Sequence, residues 1–84
     1  MEKKQLVNRL NRIEGQIKGI RTMLEDGRYC DDILVQVAAV TSSLKSFGLV
    51  LLDSHMKSCV AQKLAEGHTE VLDEVMQTIR KLNR

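Results

Sequence analysis

The chain has 84 residues, 43% of them apolar, and 13 Lys and Arg against 11 Asp and Glu give a formal net charge of +2. One small domain over residues 1–84 is expected, too short for a large core of its own and dependent on self-association to cover its apolar surface. Tyr29 and Phe47 are the only aromatic residues, which argues against stacking platforms for single-stranded nucleic acid.

No apolar run is read as reaching membrane-spanning length, and Met1-Glu2-Lys3-Lys4 lacks the apolar segment of a signal peptide. A soluble cytoplasmic protein is expected, with no membrane partner. In a reducing cytosol the two cysteines point to metal or redox chemistry more than to a structural disulfide.

The spacing predicts a first helix over about Lys3–Glu25, with Leu6, Leu10, Ile13, Ile17, Ile20 and Leu24 as a heptad seam and Gly27 as the stop. The rest of this helix is basic. Lys4, Asn8, Asn11, Arg12, Lys18 and Thr22 fall opposite the seam, with Gly15 and Gly19 among them. A mid-helix glycine costs about 1 kcal/mol relative to alanine, so the pair asks for a reason. Either another backbone approaches there, or the surface is lowered to admit a ligand such as a phosphate strand. The basic residues themselves read as a solvated face or as a phosphate-contacting surface.

A second helix should begin near Cys30 or Asp31 and end around Leu64 to Glu66, before Gly67. Asp31 and Asp32 suit its positive first turn. One stripe is Ile33, Val37, Val40, Leu44, Phe47 and Leu51. Another is Leu34, Ala38, Thr41, Lys45, Gly48 and Leu52, and it continues onto Cys30, His55 and Cys59. A third helix is expected over about Thr69–Leu82, with Thr69 as N-cap, Leu72, Val75, Ile79 and Leu82 as its buried stripe and Met76 beside it.

Cys30, His55 and Cys59 therefore share one helix face. His55 and Cys59 are one turn apart, whereas 25 positions of helix separate Cys30 from His55, roughly 37 Å at the usual rise. A second helix packed antiparallel, with its two-fold axis near Ser43 and Leu44, removes the difficulty. It brings Cys30 of one chain beside His55 and Cys59 of the other and builds two identical sites. Small residues Ala38, Ala39, Thr41, Ser42 and Ser43 lie around that midpoint. Two thiolates and an imidazole form a soft donor set. Cu(I) leads, being satisfied by three ligands, and Zn(II) follows because it wants a fourth. Taken singly, each cysteine also reads as a small hydrophobe and the histidine as a helix-dipole partner.

The segments Asn8-Arg9-Leu10-Asn11-Arg12-Ile13-Glu14-Gly15-Gln16-Ile17-Lys18-Gly19-Ile20, Tyr29-Cys30-Asp31-Asp32-Ile33-Leu34-Val35-Gln36 and His55-Met56-Lys57-Ser58-Cys59-Val60 resemble the copper-sensing operon repressor family. That family also includes nickel/cobalt, formaldehyde and persulfide-responsive repressors. The resemblance implies an all-α three-helix protomer, an antiparallel dimer forming a four-helix bundle, and a dimer of dimers. It implies a repressor that binds double-stranded operator DNA when metal-free and leaves it on taking Cu(I) at Cys30, His55 and Cys59, releasing genes of copper efflux or buffering. No small organic substrate and no enzymatic activity are expected.

It further implies that Tyr29 and a glutamate of the third helix, Glu74 or else Glu70, support the metal ligands. Arg9, Arg12, Lys18, Arg21 and Lys45 are the candidate DNA contacts, with Lys3 and Lys4 behind them. The nickel/cobalt branch resembles this chain at Cys30 and His55 but has histidine where Cys59 stands. The formaldehyde branch has proline where Glu2 stands, and the persulfide branch lacks the histidine. The rival readings are a persulfide or thiol-oxidation sensor of the same fold and a copper-buffering protein that does not touch DNA. His68 is expected to be a loop residue.

Overall fold

The computed structural model describes residues 3–83; Met1, Glu2 and Arg84 lie outside the described residues, and with them part of the N-terminal reading. Every regular element among the described residues is helical: α1 (Lys3–Glu25), α2 (Cys30–His55), a π-helical segment (Met56–Val60), α3 (Ala61–Ala65) and α4 (Val71–Leu82). The π segment joins α2 to α3 without a break, so the chain forms three helical rods, as the periodicity predicts. Two compact units can be distinguished, with their boundary between Phe47 and Gly48.

In the first unit, α1 and the opening of α2 form a helical hairpin. Gly27 adopts φ +67°, and two main-chain bonds close the end of α1. The Gly27 N–H donates to Leu24 at 3.2 Å and the Arg28 N–H to Met23 at 3.0 Å. This pair of bonds requires a left-handed residue, which only glycine adopts without strain. The Tyr29 carbonyl then accepts from Asp32 and Ile33, making Tyr29 the N-cap of α2. Asp31 and Asp32 occupy the first turn, as expected.

Leu6, Ile13 and Ile33 are buried, with Leu10, Ile20, Met23, Val40 and Phe47 half-buried. The expected seams need correcting on one flank: Ile17, Leu24, Val37 and Leu44 are exposed. An apolar stripe at seven-residue spacing drifts around a straight helix, so Met23 turns inward in place of Leu24. A two-helix hairpin covers only part of so wide a band.

In the second unit, Val60, Val71 and Val75 form the buried centre, with Leu52 and Ile79 packed on it. The stripe of α4 is rotated from the expected one: Val71 is buried while Leu72 is 45% exposed. The N-cap also moves, from Thr69 to Glu70, without a side-chain capping bond. The first turn of α4 is instead opened by main-chain bonds, Leu72 N–H to Thr69 and Asp73 N–H to Glu70, each 3.1 Å. Gly67, at φ +87°, ends the preceding helix as Gly27 ends α1: its N–H donates to Leu64 and that of His68 to Lys63. Gly48 admits the α4 C-terminus, since a Cβ there would lie 2.9 Å from Leu82 Cδ1.

The expectation about membrane-spanning length does not hold. The run Cys30–Ala65 is long and apolar enough, by length and composition, to cross a membrane. Lys45 is the only charge between Ile33 and Leu52. The interruptions there are Ser, Thr, Gln and Gly, which break an apolar run while lowering mean hydropathy little. Leu34, Val35, Val37, Leu44 and Leu49 are all more than 40% exposed within a single chain.

Candidate metal centre and nucleic-acid interface

Cys30 is the first residue of α2 and His55 the last. Cys59 sits inside the π segment. Both cysteines are free thiols, and both they and His55 are exposed. Among the described residues of one chain, no three His, Cys, Asp or Glu side chains cluster to hold a metal ion. The donors are thus divided between the two compact units, Cys30 in one and His55 with Cys59 in the other.

The π segment lies where the sequence predicts uninterrupted α-helix. The Ala61 N–H reaches back to the Met56 carbonyl, five positions, instead of four. A widened turn of this kind is often found at functional sites. It changes the relation of His55 to Cys59: four residues overshoot one turn of α-helix but fall short of one wide turn. The Ser58 hydroxyl donates to the Ser54 carbonyl at 2.8 Å and lies 3.7 Å from Cys59 Sγ. Fully buried Val60 anchors the end of the segment in the core. Asp53 and Lys57 pair at 3.1 Å on the exposed side.

His55 faces two clefts of the second unit. One, of about 330 Å³, is lined by Gly48, Leu51, Leu52, Thr78 and Leu82. The other, about 120 Å³, is lined by Leu52, Glu74, Val75 and Thr78. Glu74 therefore shares a cleft with the histidine. Glu70 faces elsewhere, its carboxylate 3.4 Å from His68 Nδ1, and Glu66 lies 3.8 Å from His68 Nε2. Tyr29, beside Cys30, is 70% exposed.

The basic candidates Arg9, Arg12, Lys18, Arg21 and Lys45, and Lys3 and Lys4, are all exposed. Arg9 and Arg12 line a cleft of about 440 Å³ in the first unit, together with Gln16 of α1 and Ser42, Ser43 and Ser46 of α2. Lys18, Arg21 and Lys45 do not line it. Sequence reasoning assigns Ser42 and Ser43 to a helix-crossing point and does not pair them with Arg12. The available signal was the hairpin itself, whose turn at Gly27 sets residue 13 opposite residues 42 and 43.

A family model described as "Metal-sensitive transcriptional repressor" matches residues 2–81. The chain is 44% identical over 84 residues to the copper-sensing transcriptional repressor CsoR of Bacillus subtilis, covering 99% of this chain and 83% of that protein. It resembles the crystal structure of the copper-sensing repressor CsoR with Cu(I) from Geobacillus thermodenitrificans NG80-2. There the TM-score is 0.91 and the identity 43%, over 99% of this chain and 88% of that one. The nickel-responsive transcriptional regulator InrS is also similar, with a TM-score of 0.80 and 40% identity over 94% of this chain and 90% of that one. With this match running through both compact units, the chain belongs to the family of metal-sensitive transcriptional repressors.

Proposed function

We propose that this protein is a cytoplasmic, Cu(I)-responsive transcriptional repressor that binds operator DNA without metal and releases it when Cu(I) binds. The observation that carries this reading is the donor set. One free, exposed thiol opens α2, an exposed imidazole closes it, and a second free, exposed thiol follows in the π segment, in a chain so similar to a repressor that holds Cu(I).

Cys30, His55 and Cys59 hold the metal, with Cys30 supplied by a second chain. Soft sulfur donors select Cu(I), and a set of three suits it better than zinc, which prefers four ligands. When bound, the metal supplies a cross-link between chains. The chain's own residues do the rest: Glu74, in the cleft with His55, ties the site to α4, and Tyr29 caps the helix that presents Cys30. The antiparallel dimer buries the apolar residues of α2 that one chain leaves exposed, and pairs of dimers form the DNA-binding tetramer. Arg9, Arg12, Lys18, Arg21 and Lys45 contact the DNA.

The test is an anaerobic fluorescence-anisotropy titration of the reduced protein on its own upstream DNA, with and without one Cu(I) per chain. Tight binding that Cu(I) abolishes is expected. Binding indifferent to Cu(I) but lost on adding a persulfide donor would move the protein to sulfur sensing. No binding in either state would leave copper buffering as its role.

A further inference from the structure

We infer that the cleft formed by Arg9, Arg12 and Gln16 of α1 with Ser42, Ser43 and Ser46 of α2 is the seat of a DNA backbone phosphate, and that Gly15 and Gly19 clear the strand's approach to it. The inference rests on the repressor reading and narrows it, singling out two of five candidate cations and adding three hydroxyls.

Three observations carry it. First, the cleft holds two guanidinium groups and no carboxylate. Among the described residues, the ion pairs are Asp53–Lys57 and those of His68 with Glu66 and Glu70, so neither arginine is paired. An unpaired guanidinium presents a planar fork of N–H donors suited to two phosphate oxygens.

Second, the serine hydroxyls are unengaged. Thr22, Thr41, Ser58 and Thr78 each donate to the carbonyl four residues back, the usual refuge of a helical hydroxyl. Ser42, Ser43 and Ser46 make no such bond among the described residues and face the cleft beside the arginines. Hydroxyls and amides next to Arg are the common phosphate-contacting set on duplex DNA.

Third, a Cβ at Gly15 or Gly19 would meet nothing within 4 Å beyond its chain neighbours and the backbone of its own helix. Gly15 lies one turn from Arg12 and Gly19 one turn from Gly15, so the open strip continues from the arginine along α1. No packing within the chain accounts for these glycines, and of the two reasons for such a pair, a partner's backbone or a phosphate strand, the second agrees with the arginine cleft one turn away.

The experiment is an anisotropy titration of the reduced, metal-free full chain on its own upstream duplex across a range of salt concentrations. The variants are Arg12→Ala, the double variant Ser42→Ala/Ser46→Ala, and Ser46→Glu. Helical circular dichroism and one Cu(I) per chain serve as checks on folding. Arg12→Ala is expected to weaken binding about tenfold or more and to reduce the salt slope by about one. The double serine variant should lose about tenfold, because the bonds removed are charge-assisted. Ser46→Glu, which sets a carboxylate in the cleft, should lose the most.

If folded serine variants bind as tightly as the wild type, the cleft assignment is overturned while the repressor reading stands. If Ser46→Glu abolishes binding of inorganic phosphate but spares DNA affinity, the cleft belongs to a free anion and the assignment is likewise overturned. If the wild type itself does not bind DNA, the repressor reading fails and the cleft assignment with it.

Discussion

Deleting Lys57 tests whether the π segment is a single residue inserted into an otherwise regular helix. In the native chain Ala61 N–H bonds the Met56 carbonyl, five positions back. One residue fewer lets that N–H close an ordinary four-position bond, and everything after the segment keeps its orientation. Val60, which is 0% exposed, then stays in the core with Val71 and Val75. Had the helix needed every residue, the deletion would rotate the downstream turns by about 100°. Val60 would leave the core, at a cost of about 1.5–3 kcal/mol. For a domain of this size that is a fall in Tm of roughly 6–24 °C. The lost Lys57–Asp53 pair does not confuse the comparison. Its side chains are 78% and 63% exposed, and such pairs contribute about 0.3–0.5 kcal/mol. The expected Tm change is therefore within about 4 °C, measured by circular dichroism at matched chain concentration, because self-association couples to the melt. The site should respond differently, since His55 and Cys59 become three positions apart. Cu(I) affinity, from competition titration, should fall about tenfold or more while metal-free DNA affinity persists. A Tm drop beyond about 6 °C would refute the insertion. Unchanged Cu(I) affinity would refute the link between the wide turn and the ligand spacing.

Three further outcomes follow from the same geometry. Cys30→Ser, His55→Ala and Cys59→Ser should each keep metal-free DNA binding but lose release by Cu(I), read by anisotropy; for sulfur sensing, His55→Ala would still respond to persulfide. Glu74→Gln should retain one Cu(I) per chain yet blunt DNA release, whereas Glu70→Gln, which alters only the contact with His68, should leave release intact. The glycines should divide by backbone. Gly27→Ala places a side chain at φ +67° and should cost about 1–2 kcal/mol. Gly15→Ala meets open space and should stabilise α1 by about 1 kcal/mol, while weakening DNA binding; a thermal melt paired with anisotropy reads both.

The elements most legible in the sequence are those set by local chemistry. Gly27 and Gly67 mark helix ends because the closing bonds need a left-handed residue, and the boundaries of α1 and the start of α2 follow directly. The buried faces are only partly legible. Apolar spacing identifies a band on α1 and α2, but not which flank one chain covers, and Ile17, Leu24, Val37 and Leu44 stay outside. On α4, Val71 and Leu72 are adjacent aliphatic residues, and the smaller is the one packed with Val60. The π turn leaves no local signature: Met56-Lys57-Ser58-Cys59-Val60 contains neither Gly nor Pro. For the candidate site, the spacing of Cys30, His55 and Cys59 is enough to rule out closure along one straight helix. The cleft at Arg9 and Arg12 is not legible in the same way, because it exists only once α1 and α2 face each other.

The division of the donors between the two compact units bears on how binding at one place can act at another. A site completed inside one rigid body would report copper without changing anything elsewhere. In the proposed assembly the donors come from two chains, so occupancy constrains how the chains sit together, and the clefts of Arg9 and Arg12 on different chains are constrained with them. The thermodynamic requirement is modest. Cu(I) must bind the free repressor more tightly than the DNA-bound one, and a hundredfold difference corresponds to about 2.7 kcal/mol of coupling. By reciprocity, operator DNA must weaken Cu(I) binding by the same factor. Measuring Cu(I) affinity in the presence and absence of saturating DNA checks this without reference to gene expression. Equal affinities would break the coupling even if both ligands bind tightly.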